Sequence, residues 1–164
     1  FSALSGIFSA LSEIFSSSSG ISSLTSLNSS LDISSTCSSP KISITSEELN
    51  LGQECSQMIL LNESLNYFQD KGFEIVDDTN ADYQISIKSN TYKGLTNNRM
   101  HSALLQYEFV VKDVSSNIVF QQQKRELKGV QSNFPSAGIN AYERSLDDFK
   151  WDILRPFIKQ LVGE

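Results

Sequence analysis

The chain is expected to form an α+β domain, a mostly antiparallel sheet of four to five strands covered on one face by two helices, behind a Ser-rich amphipathic N-terminal extension. Three observations lead there. The composition changes sharply near Pro40, long segments with apolar residues at three-and-four spacing flank the part that follows, and the segments between them alternate apolar with polar residues. The resulting order after the extension, β-α-β-β-β-β-α, segregates strands from helices instead of alternating them.

With 164 residues the chain has room for one core and an appendage. The boundary falls at residues 36–40, dividing the extension (1–40) from the α+β domain (41–164). Of the first 39 residues 17 are Ser, Glu13 and Asp32 are the only charges, and Lys and Arg are absent, so charge and alternating apolar residues enter only with the second part.

The extension carries a repeat. Phe1-Ser-Ala-Leu-Ser-Gly-Ile7 is followed by Phe8-Ser-Ala-Leu-Ser-Glu-Ile14 and Phe15. Seven is a helical period, and Phe1, Leu4, Phe8, Leu11 and Phe15 fall on one stripe that Ile7 and Ile14 widen. Ile21, Leu24 and Leu31 keep a similar spacing, with Leu27 out of phase. Serine is a mediocre helix former and Gly6 a poor one, so the stripe needs a surface to bury against. The candidates are its own domain, a neighbouring copy or a lipid interface, and the missing Lys and Arg count against lipid. A Ser-rich disordered linker is the other reading.

In the second part, Ile42 and Ile44 alternate in a short strand. A helix follows from Leu51 or Gln53 to Lys71, its stripe made by Leu51, Cys55, Met58, Leu61, Leu65 and Phe68, with Gly72 as the stop. Phe73–Asp77 reads as a strand ended by the polar residues 77–80, and Tyr83, Ile85 and Ile87 alternate in the next. Ala103–Val114 is a fourth strand, and Ser115-Ser116-Asn117 turns it into a fifth, from Ile118 to about Val130. The closing helix runs from Ser136 or Asn140 to Val162 on Tyr142, Leu146, Phe149, Ile153, Phe157 and Leu161, with a kink or break near Arg155 imposed by Pro156.

A net charge of −6 and a pI near 4.8 count against nucleic acid as a partner, because that binding depends on Lys and Arg displacing counterions over a broad surface. The basic cluster Lys124, Arg125 and Lys128 reads as a solvated strand edge. No run approaches the roughly 18 apolar residues of a membrane span, leaving peripheral association as the way to a membrane. The start at Phe1 suggests a processed product.

Catalytic chemistry finds no footing. His101 is the only histidine, in the polar connection Thr96–Ser102. Asp78, Asn80 and Asp82 imitate the opening of a calcium loop, but Tyr83 stands where that loop needs glycine and Ser89 where it needs a bidentate Glu. Glu47-Glu48 and Asp147-Asp148 read as solvated faces near helix starts. The Asn28 and Asn62 glycosylation matches are expected by chance in so Ser-rich a chain. No catalytic residue, cofactor or metal is expected. Cys37 and Cys55 are too few for a zinc site. They form either a disulfide closing a loop of about 18 residues, worth roughly 3 kcal/mol, or two thiols with Cys55 on the buried helix face.

The segment Leu65-Asn-Tyr-Phe-Gln-Asp-Lys-Gly-Phe-Glu-Ile-Val-Asp-Asp-Thr-Asn-Ala-Asp-Tyr-Gln-Ile-Ser-Ile87 resembles a phrase of small bacterial envelope lipoproteins, in which a helix ends in Lys-Gly-Phe and Ala-Asp-Tyr opens a strand. Tyr107–Phe120 resembles their hairpin. The resemblance spans about residues 41–162 and is similar in layout to lipopolysaccharide-assembly, TraT-like surface-exclusion and flagellar-disc lipoproteins. It implies the periplasm or outer membrane, a lipid on an N-terminal Cys, and work through ring assembly or partner docking. Position 1 here is Phe, not Cys. The expectation is a non-catalytic envelope component with protein partners, a homo-oligomer or a subunit docked on a membrane-associated complex. The alternative is a monomeric periplasmic chaperone or plug for an outer-membrane protein, using a sheet edge or residues Gly94–Ser102.

Overall fold

A computed structural model describes residues 39–163. The extension's stripe, Phe1, Leu4, Phe8, Leu11 and Phe15, lies outside the described residues, as does Cys37.

Two helical layers' worth of apolar surface cover one side of a single sheet. The strands are β1 (Lys41–Asn50), β2 (Gln53–Glu54), β3 (Glu74–Ile75), β4 (Tyr83–Asn97), β5 (Met100–Asp113) and β6 (Ile118–Gln131), ordered β2-β1-β4-β5-β6 with β3 also on β1. The helices are α1 (Ile59–Asp70), α2 (Phe134–Phe149) and α3 (Arg155–Val162), the last two joined by a π-helical segment, Lys150–Leu154. The α+β expectation holds, with a correction: the six-stranded sheet is mixed. β1 runs parallel to β4, from Ile42 opposite Tyr83 to Leu49 opposite Asn90, and parallel to β3. Only β4, β5 and β6 form an antiparallel meander.

The first helix starts later than its periodicity suggests. Leu51 and Gly52, at φ 56 and 81, make a tight turn that sends the chain back along β1 as β2. Leu51 donates its N–H to Thr91 Oγ1 at 3.0 Å and Gly52 to Asn90 Oδ1 at 3.1 Å, so two β4 side chains hold the turn. Met58, before Ile59, offers no side-chain cap to α1. The cap comes from β1. Glu48, 1% exposed, accepts hydrogen bonds from the Leu60 and Leu61 N–H groups at 3.1 and 2.7 Å. The reading of Glu47-Glu48 as a solvated pair is thus half wrong: alternation in the extended β1 leaves Glu47 exposed and turns Glu48 inward.

The far end of α1 follows its sequence closely. Gly72 takes φ 81 and donates to Gln69 O at 2.9 Å, Phe73 N–H reaches Phe68 O at 3.0 Å, and the two Phe rings meet edge-on at 5.4 Å. These are the paired hydrogen bonds and apolar contact of a Schellman cap. Phe68 and Phe73 join Phe109, Phe120, Phe149 and Phe157 in an aromatic core. Phe157 contacts Phe68, Phe109 and Phe120 with ring centroids 5.9, 6.2 and 5.5 Å away.

Helix α2 begins with an Asn133 cap, whose Oδ1 accepts from Ser136 N–H at 2.8 Å. Its buried face is mostly small, with Ala137, Gly138, Ala141 and Ser145, so the helix lies close on the sheet. The one large side chain at its centre, Tyr142, donates its hydroxyl to Leu49 O at 2.9 Å and pairs with Ser89 Oγ at 2.9 Å. The expected disturbance at Pro156 takes a specific form. Proline cannot donate to the residue four before it, and the helix widens into the π segment just upstream, where Arg155 N–H bonds to Lys150 O. Asp147 and Asp148 are exposed as expected, but stand near the end of α2 and not its start.

Tyr107 carries an unusual burden. It is 3% exposed, packs edge-on against Phe149 at 5.3 Å, and its hydroxyl has no hydrogen-bond partner. Burial pushes its phenol pKa up, and the nearby Asp148 and Asp152 charges push the same way. Tyr107→Phe removes an orphaned donor while keeping the ring. It is expected to leave the urea midpoint unchanged or raise stability by up to about 1 kcal/mol. A clear loss would mean that the hydroxyl has a partner.

Candidate functional site

The end of the β4–β5 hairpin is the most distinctive surface of the described residues. Asn98 and Arg99, both at positive φ (44 and 69), form its two-residue turn, the geometry that matches the twist of the flanking strands. The ladder shifts register between Lys93 opposite Ala103 and Thr96 opposite His101. Gly94 sits in that bulge, where a Cβ would crowd the Ser102 carbonyl oxygen at 3.1 Å, and Ser102 Oγ donates to Leu95 O at 2.9 Å. The bulge accompanies large exposed apolar side chains: Leu95 is 79% exposed, Met100 45% and Tyr92 49%. Half of the six large hydrophobics most open to solvent in the described residues therefore stand on this one hairpin end.

The base of the hairpin is stiffened against the start of α2. The His101 ring lies 4.5 Å from that of Phe134, the Lys93 ammonium 5.4 Å from the same ring, and Thr96 Oγ1 is 3.0 Å from His101 Nδ1. His101 is therefore a half-buried strand residue and not part of a loop. Beside it, a cleft of about 590 Å³ opens between the β1–β2 turn and the first turn of α2, lined among others by Leu51, Cys55, Lys93, Phe134 and Ile139.

The face of the sheet away from the helices is polar. Register places Glu47, Lys88, Glu108 and Gln123 side by side across β1, β4, β5 and β6. Gln123 and Gln121 both donate to Glu108 Oε1, at 2.9 and 2.7 Å, and hold its carboxyl below the usual carboxylate range.

The β6 edge is guarded. Glu126 at φ 68 marks a register shift, Asn140 Oδ1 accepts from the Val130 N–H at 3.2 Å, and Lys124, Arg125 and Lys128 line the strand. Lys124 pairs with Asp152 and Arg125 reaches Gln123. This fits the solvated-edge reading of the basic cluster and makes β6 a poor strand acceptor.

No family model matches the chain, and no curated protein matches it. Among solved structures, a minor lipoprotein from Acinetobacter baumannii is similar with a TM-score of 0.38 at 16% identity, covering 75% of this chain and 87% of that one. A lipoprotein from Neisseria meningitidis gives 0.45 at 7% identity, with 73% and 99% covered. The PelC dodecamer from Paraburkholderia phytofirmans gives 0.41 at 17% identity, with 66% and 85% covered.

Of the stripe Phe1, Leu4, Phe8, Leu11 and Phe15 and the pair Cys37 and Cys55, only Cys55 lies within the described residues. It is a buried thiol on the turn between β2 and α1, not on a helix, with its N–H on Glu48 O at 2.8 Å. Asp78, Asn80 and Asp82 do not converge on a common site. Asp78–Asn80 is a single 3₁₀ turn, and Asp82 Oδ2 accepts from the Lys41 N–H at 2.8 Å. In the sequence Gly94–Ser102 reads as a loop that the alternative reading offers to a partner. That it is the end of a two-stranded hairpin is masked there, because its exposed apolar residues interrupt alternation at the bulge. The Asn97-Asn98 pair, which favours positive φ, was the available signal.

Proposed function

We propose that this chain is a non-catalytic component of the bacterial cell envelope that assembles with further copies of itself, with the β4–β5 hairpin end as a contact surface. The observation that carries this is the cluster of Tyr92, Leu95 and Met100, apolar and open to solvent on a hairpin braced by Phe134 and His101. Such side chains are retained on a surface when a partner covers them, and a stiff platform lowers the ordering cost of that contact. The envelope part of the reading is supported by the Lys71-Gly72-Phe73 junction, which forms the helix cap and strand start that the resemblance calls for. The sequence stripe Phe1, Leu4, Phe8, Leu11 and Phe15 belongs to the same proposal as a second contact.

Leu95→Lys with Met100→Lys tests it. Both side chains are exposed, so the fold is expected to persist, while light scattering on the full chain is expected to show the assembly falling to monomer. An assembly mass that stays the same in this variant, with wild-type circular dichroism, overturns the hairpin contact. Deleting residues 1–19 in parallel separates the contribution of the stripe.

A further inference from the structure

We propose that the open face of the sheet binds an uncharged oligosaccharide, in a shallow depression of about 360 Å³ centred on β4 and β5. This volume falls within the range of about 300–1,000 Å³ typical of ligand sites. Tyr92 is common to this lining and to the hairpin cluster, whereas Leu95 and Met100 do not line the depression and Gln106 is not part of the assembly surface, so variants at those positions tell the two proposals apart.

The lining narrows the chemistry by its charges. Glu47 and Glu108 are matched by Lys88 and Arg125, with Lys88 the cross-strand neighbour of both carboxylates. Lys124 adds nothing, since its ammonium is held by Asp152. An anion would meet two carboxylates and a cation two basic groups, so neither sign of ligand gains a net field. A wholly apolar ligand would cover Lys88, Asn90, Gln106 and Glu108 without replacing their hydrogen bonds to water. What remains is a ligand that both donates and accepts at closely spaced points, as sugar hydroxyls do.

The side chains suit that exchange. Planar amides and carboxylates offer a donor and an acceptor, or two acceptors, in one plane. Gln106 lies across from Asn90 on the neighbouring strand, and its amide has no hydrogen bond within the described residues. Gln123 is already fixed, donating to Glu108 at 2.9 Å and accepting from Arg125 at 3.4 Å, so little rotamer freedom is lost when a ligand arrives. Tyr92, half exposed in the same lining, supplies an aromatic face for the C–H side of a sugar ring and a hydroxyl for its edge.

The experiment is a titration of the full-length ¹⁵N-labelled protein with maltohexaose, cellohexaose and N-acetylchitohexaose, following the Asn90, Gln106 and Gln123 side-chain amides. At least one hexasaccharide is expected to shift these signals saturably below about 10 mM, a range that includes millimolar binding. Gln106→Ala and Tyr92→Ala are each expected to weaken that binding by about tenfold or more. The exposed Trp151→Ala and the Leu95→Lys variants are expected to leave it unchanged. Silence of the three amides with all three sugars overturns the proposal, as does binding that survives both the Gln106 and Tyr92 changes in folded protein.

Discussion

Gly129→Ala is expected to destabilise the domain by at least about 3 kcal/mol, at the upper end of what an inserted methyl group does to a packed interior. Gly129 lies on β6 directly under α2. A Cβ placed there would overlap the Ala137 carbonyl oxygen and the Ala141 amide nitrogen and approach Ala141 Cα to 2.8 Å. All three obstacles are backbone, so no rotamer change relieves them, and the helix must lift from the sheet as a unit. Lifting it stretches the Tyr142 hydrogen bond to Leu49 and opens the contact of Phe149 with Tyr107 and Phe109. Urea unfolding followed by circular dichroism checks this. The exposed neighbour Lys128→Ala, expected within about 0.5 kcal/mol of wild type, serves as control. A Gly129→Ala protein within about 1 kcal/mol of wild type would show that α2 does not bear on β6 as closely as described.

The small residues of α2 show why parts of this fold were readable in the sequence and parts were not. Helix periodicity identified the closing helical stretch and its large positions, Tyr142 and Phe149 on α2, Ile153 in the π segment and Phe157 on α3, all of which are buried. It passed over Ala137, Gly138 and Ala141, which have little hydrophobic weight yet set how near the helix lies. The meander β4–β5–β6 was legible because alternation and the Ser115–Asn117 turn act between neighbours in the chain. There Asp113 Oδ1 accepts from the Ser115 and Asn117 N–H groups, each at 2.9 Å. The place of β1 beside β4 was not legible, since parallel pairing across some 40 residues leaves no local mark. The Gly72 cap was legible because all its parts are adjacent in sequence.

The surfaces follow the same division. The polar positions that face solvent on β4 and β5 could be read as alternation, but their gathering into rows across four strands depends on register, which only the fold supplies. Leu95 and Met100 fall in the stretch Gly94–Ser102 that reads as a loop in the sequence, although β4 and β5 run through it to a two-residue turn. The extension is the opposite case: its repeat is plain in the sequence, and its contacts are a matter for the assembly experiment.

Glu48→Ala carries the second large effect, a loss of about 3 kcal/mol. The carboxylate is buried, yet it does not sit there as an unpaired charge. Its two oxygens take hydrogen bonds from Leu60 N–H, Leu61 N–H and Ser46 Oγ at 3.1, 2.7 and 3.0 Å. The positive end of α1 faces it, so the helix dipole offsets part of the desolvation that burial imposes. Alanine leaves two amide donors without partners in a buried site, and each such donor costs about 1–3 kcal/mol. Glu48→Gln keeps one carbonyl acceptor and the side-chain shape, so it is expected to cost about half as much, with the remainder reflecting lost charge at the helix end. The pair of variants separates the two roles. Equal losses for Ala and Gln would place the effect in the charge, whereas a wild-type midpoint for Ala would show that water caps α1 and that Glu48 does not hold the helix to β1.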